Sequence, residues 1–344
     1  MTDQARTDPA RSDPQPSPGA AHGATRPGAA QMLRRYGILI ALALVCVALT
    51  FLNEYFLTTR NLVNVLRQTS INGILAIGLT FVILARGIDL SVGSVVALAG
   101  VVAASFATTS SGAAIAGGPH PVALALAAGV LVGAACGAAS GLVVARFAVP
   151  AFVATLGMLS AARGLTLIYT DGRPVPALAD SFRYIGNGDF LGIPMPVVLF
   201  LAVFAGAWWT LTQTRFGRHV YAAGGNPHAA TVSGIDVARI RLLVFVISGA
   251  LAGLAGMILA ARTGSALPQA GVAYELDAIA AVVIGGTSLA GGVGRVTGTV
   301  IGALLIGVVN NGLDLMGVES YYQLVIKGML IVAAVMLDQS RQRE

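Results

Sequence analysis

Long apolar runs follow one another along almost the whole of this 344-residue chain, and only 10% of its residues are charged. Soluble domains carry a charge at about 25% of their positions, because water must solvate their surface. A chain with so few charges cannot cover a globular surface in this way. A lipid bilayer removes the requirement, since apolar side chains then face an apolar solvent. The composition therefore predicts an all-α, polytopic membrane protein.

The apolar runs predict about ten transmembrane helices. A helix crosses a bilayer with roughly 20 apolar residues, at a rise of about 1.5 Å per residue. The candidate spans are 36–52, 64–85, 91–108, 121–145, 149–170, 195–213, 240–261, 274–289, 294–312 and 321–338. Acidic residues stand at the starts of 91–108 and 274–289, so these two are interpreted as either full spans or partial, re-entrant ones.

The arginines indicate how the spans are oriented. Ten spans place both termini on one side, and with the N-terminus inside, fourteen arginines fall on the cytoplasmic side and five on the outer side. That asymmetry is typical of membrane proteins and predicts that both termini are cytoplasmic. The proline-rich residues 1–33 are predicted to be a disordered cytoplasmic tail. Residues 34–338 are then the membrane domain, and residues 339–344 are a short cytoplasmic C-terminal tail.

Glycines recur every four residues in three of the spans and predict close helix packing. Residues four apart share one helix face, so each row makes a smooth groove for a neighbouring helix. That neighbour lies either in the same chain or in a second copy. The rows are Gly129, Gly133, Gly137 and Gly141; Gly249 and Gly253; and Gly294, Gly298 and Gly302.

The longest predicted cytoplasmic loop, 214–240, contains a short helix whose two ends are both specified. Asn226 is a favourable N-cap, and Pro227 suits the first helical position. Gly234 suits the left-handed residue that follows a helix end. So short a helix is unstable alone in water, which predicts that it docks against a surface of this chain or of another. Asp236 is predicted to cap the helix that follows.

Other polar groups stand near the ends of spans, and each has two interpretations. Asp89 is either a functional carboxylate or the N-cap of the third helix, with Arg86 as its partner. Glu275 and Asp277 either oppose the dipole of the helix that they begin or bind substrate. A third group carries amides and a carboxylate that suit either hydrogen bonding to a sugar or a helix end, and its members are Asn310, Asn311 and Asp314.

The sequence lacks the groups that several functions require. A Walker A loop needs Gly-Lys followed by Ser or Thr, and the only lysine, Lys327, lies between Ile326 and Gly328. No catalytic arrangement, metal-ligand spacing or basic stripe for nucleic acid is present, so no catalytic or metal-binding residue is predicted. If this chain transports anything with ATP, the ATPase is another polypeptide.

Five long runs carry a resemblance to a known family. They are GIDLSVGS at 87–94, VPAFVATLGML at 149–159, GGNPHAATVSGI at 224–235, YELDAIAAVVIGGTSLAGG at 274–292 and NNGLDLMGVESYYQ at 310–323. Together they resemble the ribose/xylose-type permease subunits of bacterial ABC sugar importers, over about residues 55–338. The likeness to ribose permeases is greatest in the last two runs.

The resemblance implies a non-enzymatic permease subunit of the bacterial inner membrane. Such a subunit translocates a monosaccharide, here ribose or a similar pentose, by alternating access. The implied partners are a second permease copy in a homodimer, a cytoplasmic ABC ATPase that binds ATP and magnesium, and a periplasmic sugar-binding protein. This chain itself would bind no cofactor.

In this family the short cytoplasmic helix inserts into the ATPase as a coupling helix. The resemblance maps that role onto Asn226, Pro227, His228, Ala229, Ala230, Thr231, Ser233 and Gly234. The substrate-pathway candidates are Asn310, Asn311, Asp314, Glu275 and Asp277. The alternative is an ion-coupled secondary transporter, which would require paired acids deep within spans. The acids here fall near the predicted span ends, and the sequence does not specify which sugar is carried.

Overall fold

A computed structural model describes the backbone of residues 29–110, 112 and 119–343. In these residues the chain forms thirteen α-helices and one hairpin of two short antiparallel strands. The elements are α1 (Ala29–Leu52), α2 (Thr59–Leu84), α3 (Val92–Ala107), α4 (Val122–Phe147), α5 (Ala151–Thr170), α6 (Asp180–Asn187), β1 (Asp189–Phe190), β2 (Ile193–Pro194), α7 (Met195–Gln213), α8 (Arg215–Gly225), α9 (Pro227–Val232), α10 (Val237–Thr263), α11 (Tyr274–Ile284), α12 (Val296–Leu315) and α13 (Ser320–Arg343).

The packing described below belongs to the compact unit of residues 38–344. Of the predicted N-terminal tail, residues 1–28 lie outside the described residues, and residues 29–33 belong to α1. At the other end, α13 continues to Arg343, so residues 339–343 extend this helix.

Six of the described helices are long and apolar enough to cross a membrane: α2, α4, α5, α7, α10 and α12. Three further apolar stretches are shorter, at Gly37–Leu52, Val92–Ala107 and Ser320–Ala333. Helix α11 has only 11 residues and is about 16 Å long, roughly half the thickness of a bilayer core. Each of the ten predicted runs therefore contains a helix, while the count of ten complete spans stays a prediction.

Two helices of the connecting segments did not follow from the apolar runs. Helix α6 precedes the β1–β2 hairpin, and α8 lies between α7 and α9. Both are amphipathic helices of low overall hydrophobicity, which a search for long apolar runs passes over.

The glycine rows pack within the chain. The row on α4 lies antiparallel against α10, where a Cβ on Gly133 would meet the carbonyl oxygen of Gly249 and one on Gly253 would meet that of Gly129. On α12, Gly298 and Gly302 lie against the backbone of α11 in the same way. Gly294 was predicted to continue that row, but it lies before α12 begins and has a φ of 157°. Small residues thus allow backbone-to-backbone contact between helices.

Two chain segments turn back into the bundle instead of ending at its surface. After α2, residues 85–86 form a turn, and residues 87–91 lead without regular secondary structure to the start of α3. Asp89 of this segment reaches Ser248 near the middle of α10. After α10, residues 264–273 lead to the start of α11. The two helix starts meet inside the protein, because a Cβ on Gly93 would touch both Gly271 and Glu275. The two weakest predicted spans are thus short helices that begin within the bundle.

The α4–α10 contact predicts the effect of adding one methyl group. Gly133→Ala should destabilise the protein by about 1–3 kcal/mol, because the backbones must separate to accept the new Cβ. Gly206→Ala on α7 is the matched control, since no atom lies within 4 Å of the position that a Cβ would take there. The measurement is the free energy of unfolding of the purified protein in detergent. Equal stability of both variants would contradict this packing.

Candidate functional sites

The segment around α9 has the local structure that its sequence predicted. The Asn226 side chain caps the helix by accepting a hydrogen bond from the Ala229 N–H at 3.0 Å, and Pro227 occupies the first turn. Gly234 has a φ of 82°, in the left-handed region that favours glycine. Asp236 then caps α10 by accepting a hydrogen bond from the Arg239 N–H at 2.9 Å.

Helix α9 offers most of its surface to the surroundings. The side chain of Val232 is 77% exposed, whereas Ala230 is only 5% exposed. The other exposed residues are Asn226, His228, Ala229, Thr231, Ser233 and Gly234, and Pro227 is half-buried. The predicted coupling residues therefore divide into two groups. Ala230 seats the helix on its own chain, and the exposed residues form a surface that a partner can contact.

The irregular segment before α3 is held by side chains from two helices, α5 and α10, and by its own Asp89 and Ser91. Asp89 accepts hydrogen bonds from the Ser91 N–H at 3.0 Å, the Ser91 hydroxyl at 2.6 Å and the Ser248 hydroxyl at 2.9 Å. Thr155 of α5 donates to the Ile88 carbonyl and accepts from the Leu90 N–H, both at 3.2 Å. Irregular backbone inside a bundle needs such partners, because neither water nor a regular helix satisfies it.

This geometry corrects the N-cap interpretation of Asp89. The N-cap of α3 is Ser91, whose side chain makes no capping hydrogen bond, and Asp89 stands two residues before it. Arg86 was predicted to be the partner of Asp89. Its side chain instead donates hydrogen bonds to the carbonyls of Ala290 and Gly225.

A buried ion pair lies in the first turn of α11. The Lys327 ammonium of α13 donates to Asp277 Oδ2 at 2.9 Å, and the Asn310 amide of α12 donates to the same oxygen at 3.1 Å. The side chain of Asp277 is 3% exposed and that of Lys327 is 17% exposed. The carboxylate thus links α11, α12 and α13 in a place where an unpaired charge would be very costly.

Glu275 stands on the other side of the same turn. Its carboxylate lies against Gly93 at the start of α3, so the positive dipole ends of α3 and α11 both have this anion nearby. Arg163 of α5 donates to the carbonyls of Pro268 and Ala270 at 2.7 and 2.9 Å. Arg163 thereby holds the segment that returns into the bundle.

The remaining pathway candidates lie apart from this cluster. Asn311 and Asn61 of α2 exchange a pair of amide hydrogen bonds at 2.8 and 2.9 Å, and both are buried. Asp314 is exposed at the end of α12 and accepts a hydrogen bond from Gln323 at 2.8 Å. The structure therefore brings together Asp277 and Asn310, places Glu275 in the same turn as Asp277, and leaves Asn311 and Asp314 at separate positions.

Sequence reasoning missed the partners of these groups. Lys327 and Arg163 lie within predicted spans but were not assigned a partner, and Ser248 and Asn61 were not singled out. The signal was available for the two cations, because a charge within an apolar span requires a partner of opposite sign. Nothing in the sequence distinguishes Ser248 or Asn61 from other polar residues of the spans.

Comparison with known proteins identifies the family. A protein-family model described as "Branched-chain amino acid transport system / permease component" matches residues 61–335. The chain belongs to this family of transport permeases. No solved structure matches it.

Similar permeases cover nearly all of the chain. It is 50% identical over 308 residues to the ribose import permease protein of Escherichia coli K12, which is 88% of this chain and 93% of that protein. It is 46% identical over 312 residues to the ribose import permease protein of Bacillus subtilis 168, or 90% and 94% of the two chains. It is 43% identical over 306 residues to the D-allose transport system permease protein of Escherichia coli K12, or 89% and 91%. This permease is a multi-pass protein of the inner membrane.

The ion pair predicts a pattern of stabilities among its variants. Lys327→Met should destabilise the permease by about 3–5 kcal/mol, because it leaves the Asp277 carboxylate buried without a cation. The double variant Asp277→Asn with Lys327→Met should recover most of that loss, because the charge is then absent and Asn310 retains a partner. The free energy of unfolding in detergent measures both. If the double variant is no more stable than Lys327→Met alone, the pair does not have this role.

Proposed function

We propose that this chain is the membrane-spanning permease subunit of an ATP-binding-cassette importer that carries ribose or a similar pentose across the inner membrane. The observation that carries the proposal is the similarity to ribose import permeases at 46–50% identity over about nine-tenths of the chain. The helical bundle with six helices of spanning length supports the same function.

The cargo is proposed to be a sugar although the family description names branched-chain amino acids. The similar permeases reported above are named for ribose and for D-allose. The site supports this choice on physical grounds. An amino acid presents a carboxylate that helix N-termini inside a membrane protein can bind, but the starts of α3 and α11 already face the carboxylate of Glu275. A neutral sugar requires no such positive site.

The motor is proposed to be a separate ATPase. The only lysine of the chain is committed to the ion pair with Asp277, so it is not part of a phosphate-binding loop. Helix α9 supplies an exposed, capped helix to which the ATPase would dock. ATP and magnesium would bind to that partner, whereas a second permease copy and a periplasmic sugar-binding protein would complete the transporter.

Alternating access around the spans is the proposed mechanism. Of the predicted pathway residues, Asn310, Asn311 and Asp277 are buried and hold one another or a neighbouring helix. They would meet sugar only in a state in which these contacts open. Asp314 is exposed at the end of α12, and Glu275 is half-buried.

Reconstitution tests the proposal directly. The permease, its ATPase and the sugar-binding protein are placed in liposomes, ATP is supplied on the side that carries α9, and uptake of radiolabelled ribose and leucine is compared. Ribose uptake that requires ATP is the expected result. Uptake of leucine alone would overturn the sugar assignment. Ribose uptake by the permease alone under an ion gradient would favour a secondary transporter instead.

The docking role of α9 predicts the effect of one exposed charge. Ala229→Glu should lower ATP-driven uptake by about tenfold or more, because an uncompensated charge in a buried interface costs several kcal/mol. Ala238→Glu on the exposed start of α10 makes the same change outside α9 and should retain uptake. Ala230 is unsuitable for this test, since it is buried against its own chain. Full uptake by Ala229→Glu would exclude α9 as the docking helix.

A further inference from the structure

Three chain segments meet beside α9. They are the end of α2, the end of α8 and residues 285–294, which connect α11 to α12 and are called the glycine loop below. The Gly292 N–H of this loop donates to the Leu84 carbonyl of α2 at 2.9 Å. A Cβ on Gly224 of α8 would collide with that same carbonyl and with Gly292. At these points the segments touch through their backbones.

Arg86 joins all three segments with one side chain. It follows α2 and has a φ of 64°, which turns the chain sharply back toward the bundle. Its Nε donates to the Ala290 carbonyl of the glycine loop at 2.6 Å, and its Nη2 donates to the Gly225 carbonyl of α8 at 3.3 Å. The planar guanidinium holds its donors in a fixed geometry and serves two acceptors at once. An ammonium on a flexible stem does not fix its donors in this way.

A second bond ties α8 to the glycine loop. The Tyr221 hydroxyl of α8 donates to the Gly294 carbonyl at 2.9 Å. Burial raises the pKa of the Tyr221 phenol above its ordinary value, so the hydroxyl keeps the proton that it donates. Arg86 and Tyr221 hold the two ends of the contact between α8 and this loop.

The contact among the end of α2, the end of α8 and the glycine loop is called the junction below. It lies between α9 and the acidic first turn of α11. Gly225 immediately precedes Asn226, the N-cap of α9, so a displacement of α9 acts directly on the Arg86 contact. The glycine loop continues directly from α11, whose opposite end carries Glu275 and Asp277. A movement of α9 can therefore reach α2 and α11 together without passing through the spans in between.

We propose that Arg86 is a positioning residue for coupling, which makes α9, the end of α2 and the glycine loop move as one body when the ATPase displaces α9. This inference rests on the proposed function of the chain as an ATP-driven permease. Without Arg86 the ATPase still docks to α9 and hydrolyses ATP, but less of the movement reaches α2 and α11. The variant then hydrolyses more ATP for each sugar that it imports.

The ratio of ATP hydrolysed to ribose imported tests this, in liposomes that contain the complete transporter. Arg86→Gln should raise the ratio by about tenfold, the effect expected when hydrogen bonds from one charged group are lost. Arg146→Gln is the matched control, since Arg146 is an exposed arginine at the end of α4, away from the junction. Tyr221→Phe should raise the ratio in the same direction by less. Arg86→Lys should also raise it, although the charge is kept.

Each outcome separates this inference from the proposed function. If the wild-type complex shows no ATP-driven ribose uptake, the proposed function fails. If the wild type transports but Arg86→Gln keeps the normal ratio, or loses hydrolysis and uptake in equal proportion, the coupling role of Arg86 is overturned. Should Arg86→Gln fail to assemble, Tyr221→Phe and Arg86→Lys decide the question by the same ratio.

Hydrogen exchange provides an independent readout. Amide exchange of residues 285–294 in the assembled transporter should be faster in Arg86→Gln than in Arg146→Gln, because the Gly292 N–H bond to Leu84 loses its neighbouring support. Equal exchange in the two variants would show that the junction does not depend on Arg86.

Discussion

Backbone groups inside a membrane protein must find partners within the protein, and this constraint shapes the two places where the bundle breaks its regular helices. In residues 85–91 the partners are Asp89, Ser248 and Thr155, which bond to the irregular chain or to each other. In residues 264–273 the partner is Arg163, which bonds to two of their carbonyls. The charged side chains inside the spans therefore contact residues at or next to these breaks, and the short helices α3 and α11 depend on those contacts.

Much of the fold could be predicted because lipid imposes length and apolarity on each span. Every predicted run contains a helix, and α9 could be placed almost to the residue, since Asn226, Pro227 and Gly234 act through local backbone chemistry. Helices α6 and α8 were missed because their stability comes from packing one face against the bundle. Apolar composition alone could not distinguish a complete span from a short helix that begins inside the protein.

The candidate site was less predictable, because its interactions join residues far apart in sequence. Asn61 and Asn311 bond across 250 positions, and Asp277 and Lys327 across 50. Each of the acids was visible in the sequence, but only the fold shows which ones are neutralised by a partner. Asp277 and Asn310 were named as possible sugar contacts, and the structure finds them bonded to one another.

The ion pair of Lys327 with Asp277 also lowers the reactivity of this chain toward amine-reactive reagents. Lys327 is the only lysine in the sequence, and its ammonium is largely shielded and engaged by a carboxylate. Acylating labels and amine-reactive crosslinkers need an accessible, neutral amine, so this side chain is a poor target for them. In an assembly with other proteins, such reagents would mark the lysines of those proteins and leave the side chains of this subunit unmodified.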